Sequence, residues 1–201
     1  METANARALR ERESYDTGLQ RDRYDAVLGH AQTFYHPKRI QLAGEWLRPC
    51  HGGRALELGA TCWANFLEDN NVFPAEQTCI NISERELDKG RRLCVKTRLK
   101  PDFRVMDAQQ LEFPDGHFDA VFGTAILHHV DLGIRRVLKP GGRIVFGEPL
   151  DNNPIGWLVR QLTPKARTAD ERPLRLRDLE QVQAAFRCRL VYEQLLSCRR
   201  A

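Results

Sequence analysis

Arg54-Ala-Leu-Glu-Leu-Gly-Ala-Thr-Cys-Trp-Ala-Asn-Phe66 is a short apolar run that ends in an acid and a glycine and then turns helical in pattern. Ala55 to Leu58 reads as a buried parallel strand, and Gly59 stands where a strand must turn sharply into a helix and let a ligand approach the backbone. A helix starting there would aim unpaired N–H groups and a positive dipole end at whatever binds over the turn. Glu57, at the carboxyl end of the strand, would face the same crevice. A tight strand-to-helix turn with no ligand has the same local pattern, so the choice between them rests on the rest of the chain.

Outward from this stretch, strand and helix signals alternate. Strands are expected near Ala55–Leu58, Thr78–Ile82, Phe103–Asp107, Phe118–Gly123, Arg143–Gly147 and Leu190–Leu195, with helical stretches between most of them. This alternation predicts an α/β fold: a Rossmann-like, doubly wound, mainly parallel sheet with helices on both faces. Upstream, Tyr15, Leu19, Tyr24, Leu28 and Phe34 recur at near-helical spacing among charges, so residues 1–50 are expected to form a helical cap over the crevice or to pack on the sheet. Residues 51–201 would form the core, with a lid segment at about 149–185, all in one structural domain.

With 201 residues and 42% apolar content, the chain can bury one sizeable core. It has no apolar run approaching the roughly 18–20 residues of a membrane span, and the polar start METANARALRERES lacks the apolar centre of a signal peptide. A soluble, cytoplasmic protein is expected. Cys50, Cys62, Cys79, Cys94, Cys188 and Cys198 form no CxxC pair, which argues against a zinc site or a disulfide framework. The net charge is +4, and residues 151–201 hold 10 basic against 6 acidic side chains, so the surplus lies in the last quarter. That is mild for a nucleic-acid binder, and nucleic acid is not the expected partner.

In open α/β sheets, ligands bind outside the carboxyl ends of the strands where the strand order reverses. The first strand ends at Glu57-Leu-Gly59. The second presents Asn81, 22 positions after Gly59, close to the spacing at which dinucleotide folds put a ribose-binding acid. The third ends at Met106-Asp107-Ala108, where a carboxylate can accept from a base amino group and the next N–H can donate to a ring nitrogen. The fourth leads into Ile126-Leu-His-His129. Leu138-Lys-Pro-Gly-Gly142 then stops a helix and turns the chain into the fifth.

ALELGA, INISERELDKGRR, MDAQQLEFPDGHFDAVFGTAILHHVD and RVLKPGGRIVFGEP, in this order and spacing, resemble the successive motifs of the class I methyltransferases that use S-adenosylmethionine (SAM). The resemblance runs from about Arg54 to Pro149, and EPLDNNPIGWLVRQLTPKARTADERPL is similar to the following region of a bacterial subgroup acting on small molecules. It implies that Glu57, Gly59 and Ala60 meet the methionine part and ribose of SAM. Asn81 would meet the ribose hydroxyls and Asp107 with Ala108 the adenine edge, with Ile82 and Thr124 completing the cofactor set. His128, which follows the fourth strand, could act as general base or line the pocket.

The sequence departs from the family's pattern in three ways. Gly59 is followed by Ala60, Thr61, Cys62 and Trp63 where the family has further glycines. An amide, Asn81, occupies the usual acid position, and a seventh strand has no sequence to form it. The resemblance implies an enzyme that moves a methyl group from SAM to an O, N or C atom of a small molecule. Arg160, Lys165, Arg167, Arg172, Arg175 and Arg177 either form a solvated surface helix and loop or, as a lid, hold an anionic or sugar-containing acceptor. The departures support the alternative of a SAM-binding protein with little or no activity that serves as a partner or scaffold. A dehydrogenase is disfavoured by the missing GxGxxG. An unpaired sixth strand, Arg189–Ser197, would favour a homodimer through its open edge.

Overall fold

The computed structural model describes residues 4–17, 41–59, 63–127, 133–148, 150–151, 154–164 and 172–191. Five strands, β1 (Arg54–Leu58), β2 (Glu76–Asn81), β3 (Asp102–Val105), β4 (Phe118–Thr124) and β5 (Leu138–Gly147), form one sheet in the order β3-β2-β1-β4-β5. Every pairing is parallel, so each connection must cross over a face of the sheet. The described helices are α1 (Ala4–Thr17), α2 (41–47), α3 (Trp63–Asp69), α4 (Glu84–Leu93), α5 (Ile134–Val137), α6 (Pro154–Leu162) and α7 (Leu176–Ala185).

Alternation along β1 divides the core. Leu56 and Leu58 point to one face and join Ile80, Val121, Leu111, Phe113, Ile134 and Val137. Ala55 points to the other, with Leu47 and Cys50 from the α2 region, Leu67 of α3, Val72, Ala120 and Phe122. Because β1 and β4 are covered on both faces, their sequences are near-continuous apolar runs, and each buried large aliphatic side chain contributes about 1.5–3 kcal/mol. Ser83 caps α4 by accepting from Glu86 N at 3.4 Å. Acids in the first turn of α4 and Arg91 and Arg92 in its last complement the helix dipole.

The third strand ends two residues earlier than its expected end, and the fifth differs more. β5 begins at Leu138 rather than Arg143, and its register with β4 breaks: Phe118 pairs with Leu138, then Ala120 with Arg143. The Lys-Pro-Gly-Gly stretch is thus an irregularity within the strand, because Pro140 has no N–H to pair. Lys139 Nζ anchors it by donating to both carboxylate oxygens of Asp119 at 2.8–2.9 Å. Burial works to raise the Asp119 pKa, but Lys139 and the Arg54 N–H outweigh it and hold it below the ordinary value. Of the expected sixth strand, Leu190 and Val191 carry no strand pairing, and the remainder lies outside the described residues, as does the fate of the seventh.

Candidate functional site

The strand order reverses between β1 and β4, and the cleft opens beside that point. Gly59, Asn81, Ile82, Met106, Asp107, Ala108, Gln109 and Ile126 line it from the carboxyl ends of the strands, and Glu11 and Tyr15 of α1 line it from the side. Five of the residues expected at the cofactor, Gly59, Asn81, Ile82, Asp107 and Ala108, therefore share one cleft. Ala60 and His128 lie outside the described residues.

Gly59 has φ +101°, a conformation that costs L side chains strain, and its N–H donates to the Ile80 carbonyl at 2.9 Å. Among the described residues, a Cβ built there meets nothing within 4 Å, so on their side the turn borders open space. Asn81 ties this turn to the next: Nδ2 donates to the Gly59 carbonyl at 2.8 Å, and Oδ1 accepts from Ser83 N at 2.8 Å. At β3, the Met106 N–H donates to the Asn81 carbonyl at 3.0 Å, and Asp107 Oδ1 accepts from Gln109 N at 2.8 Å, which shapes the 107–110 turn.

Two expected residues stand elsewhere. Glu57 is fully buried and does not open into the cleft. It shares the Ala55 side of β1, and its Oε2 accepts from Trp63 N at 3.1 Å and from Gln77 Nε2 at 3.2 Å. A carboxylate at the start of α3 satisfies an end-of-helix N–H and complements the dipole, so Glu57 acts beneath the turn. Thr124 is exposed at the end of β4, paired in register with Gly147, and is not among the residues lining the cleft.

One residue that organises this edge is not visible in the sequence pattern. Glu148, just past β5, accepts at Oε1 from the N–H groups of Ile126 and Leu127 at 2.7 and 2.8 Å. It thereby fixes the segment after β4, whose Ile126 lines the cleft. Ala125, at φ +52°, makes the bend that presents those N–H groups, and its own N–H donates to Gly147 O at 2.8 Å. Gly123 is needed for close approach, because a Cβ there would lie 2.8 Å from the Leu58 carbonyl and 2.7 Å from Ile126 Cγ2.

On the C-terminal side, Leu150 and Leu174 form an isolated parallel bridge, and Asp151 N donates to Leu174 O at 3.1 Å. Arg172 is paired with Asp178, and Arg175 lies 3.9 Å from Asp151. These basic side chains are thus partly neutralised within their own segment. Lys165 and Arg167 lie outside the described residues.

A family model described as a methyltransferase domain matches residues 56–146. The chain is 34% identical over 105 residues to 27-O-demethylrifamycin SV methyltransferase of Amycolatopsis mediterranei, covering 48% of this chain and 39% of that protein. It is 36% identical over 107 residues to the ubiquinone/menaquinone biosynthesis C-methyltransferase of Pseudomonas savastanoi pv. phaseolicola, covering 48% of this chain and 42% of that protein. The matched stretch is thus less than half the length of either relative. Among solved structures, the YcgJ protein of Bacillus subtilis superposes with a TM-score of 0.57 at 20% identity, over 75% of this chain and 66% of that one, a likeness of fold. Residues 56–146, built on this parallel sheet, thus match a methyltransferase domain, and over that stretch the chain is similar to the class I SAM-dependent methyltransferases.

Proposed function

We propose that this protein is an enzyme that transfers the methyl group of SAM to an O, N or C atom of a small-molecule acceptor. The observation that carries the proposal is the cleft beside the β1–β4 switch point, where Gly59, Asn81, Ile82, Asp107 and Ala108 converge from three successive strands. The names of the relatives support the acceptor class, since one acts on a rifamycin and the other in quinone biosynthesis.

The residues present fit the cofactor. Open space over Gly59 allows a ligand to approach the backbone, and Asp107 with Ala108 offers an acceptor beside a donor, matching an adenine edge. SAM, when bound, supplies a methyl group already activated on a sulfonium. The chain's part is to hold cofactor and acceptor in line and to exclude water. In this reading Gly59 and Ala60 border the methionine part and the ribose, and Asn81 with Ile82 flanks the ribose. His128, two residues past the cleft residue Ile126, takes a proton from the acceptor. Tyr15 and Glu11 in the cleft wall support a capping role for α1. Leu47 and Cys50 instead pack in the core on the Ala55 side of the sheet, so residues 41–50 support a packing role. Residues 149–185 serve as a lid bordering the acceptor, where the basic side chains of the segment meet an anionic or sugar-containing group.

Calorimetric titration with S-adenosylhomocysteine should give heat, and Asp107→Ala should weaken binding by about 1–3 kcal/mol. No heat at high protein concentration would exclude the proposal. Transfer of a labelled methyl group to candidate small molecules separates enzyme from scaffold, since binding without product on any acceptor favours the scaffold. His128→Ala should lose far more turnover than cofactor affinity. Equal losses would assign His128 to packing.

A further inference from the structure

The amide of Asn81 is committed at both ends, one to the Gly59 carbonyl and the other to the Ser83 N–H, each at 2.8 Å. It holds two turns together, and a ribose diol approaching it would compete with these bonds. Vicinal hydroxyls are donors, and the group that reads them best is a carboxylate, which accepts from both. A carboxylate is present in the same cleft, but it comes from the other end of the chain. Glu11 of α1 lines the cleft with Asn81 and Ile82 while only 7% exposed.

α1 is fastened next to Asn81. Ser83 Oγ donates to Asp16 Oδ1 at 2.5 Å, and Arg85 Nη1 donates to the Asp16 carbonyl at 2.8 Å. Ser83 is also the residue whose N–H Asn81 accepts from. The Gly59 turn, Asn81, Ser83 and Asp16 thus form a continuous hydrogen-bonded series that sets the height of α1 over the carboxyl end of β2. Tyr15, one turn on from Glu11, lines the same wall.

We propose that Glu11 supplies the carboxylate that binds the ribose hydroxyls of the cofactor, and that Asp16 is the positioning residue that brings it there. This inference rests on the SAM reading above. The division of labour follows from charge: the amide at position 81 braces the backbone, and the acid that a ribose requires is delivered by α1.

The test compares S-adenosylhomocysteine with its 2′,3′-dideoxy analogue in calorimetric titrations of the whole chain and of Glu11→Gln. The variant keeps the side-chain volume and should lose about tenfold to a hundredfold in affinity for S-adenosylhomocysteine. For the dideoxy analogue it should lose almost nothing. Equal loss for both ligands, or no loss for either, overturns the role of Glu11. Hydrogen exchange on the unsubstituted protein supplies a second readout: S-adenosylhomocysteine should slow exchange in residues 4–17 along with residues near Gly59 and Asp107. Protection near Gly59 and Asp107 with α1 unchanged overturns the inference alone, whereas protection nowhere overturns the SAM reading beneath it.

Discussion

Asn81 Nδ2 donates to the carbonyl of Gly59 at 2.8 Å, so the side chain at the end of β2 holds the turn at the end of β1. On sequence alone, Asn81→Asp should strengthen cofactor binding, because carboxylates bind hydroxyls better than amides do. The geometry reverses that expectation. A carboxylate cannot donate, and it would face the Gly59 carbonyl oxygen at hydrogen-bond distance. Asn81→Asp is expected to weaken S-adenosylhomocysteine binding by about 1–3 kcal/mol while the protein stays folded, as measured by calorimetry alongside circular dichroism.

Glu57→Ala should be costly to stability. The substitution strips the acceptor from the Trp63 N–H and from the buried Gln77 amide and leaves a void under the turn. A loss of about 3 kcal/mol is expected. It should appear as a lower urea midpoint with an unchanged slope. A midpoint equal to that of the unsubstituted protein would mean that the Trp63 N–H finds another partner.

Glu148→Ala removes the acceptor shared by the Ile126 and Leu127 N–H groups. Both N–H groups lead into the segment that carries His128. The expected outcome is a fall in turnover, with affinity for S-adenosylhomocysteine lowered less than about threefold, because Asp107 and Asn81 are untouched. Calorimetry and a labelled-methyl assay on the same preparation separate the two effects.

The Asp178 carboxyl is held at about 2, chiefly by its hydrogen bond from Arg172, against the opposing effect of burial, and with help from the Arg175 N–H. A depressed folded pKa contributes stability that is present above the unfolded value near 3.8 and is lost as pH falls towards 2. Carboxyl carbon resonances followed by NMR should show Asp178 titrating at the low end of that window. In Arg172→Ala the midpoint should move up towards 3.8.

Most of the fold was readable because β1, β2 and β4 run through the middle of a covered parallel sheet, where short apolar stretches such as Cys79-Ile80 and Ala120-Val121-Phe122 recur between helical segments. The same covering hid the orientation of Glu57. When both faces are buried, alternation leaves no polar side to mark, and an acid at a strand end reads equally well into the crevice or away from it. The start of β5 was missed because a Pro-Gly-Gly stretch signals a stop, while pairing resumes around it through the Lys139–Asp119 ion pair. In the cleft, the glycine and the ends of β2 and β3 were legible from spacing. Glu148 and Glu11 were not: no local pattern ties an acid after β5 to N–H groups after β4, and Glu11 reaches the cleft from a helix that precedes β1.

The contact between Asp16 and Ser83 spans 67 residues. Closing so long a loop is entropically costly until the β1–β2–α4 unit offers a fixed docking point. During refolding, α1 should therefore settle last. Fluorescence of Trp63, stacked on Phe122 at 4.9 Å, would recover in an earlier phase than the ability to retain S-adenosylhomocysteine. The chain would pass through a stage with its sheet assembled and its pocket still lacking one wall.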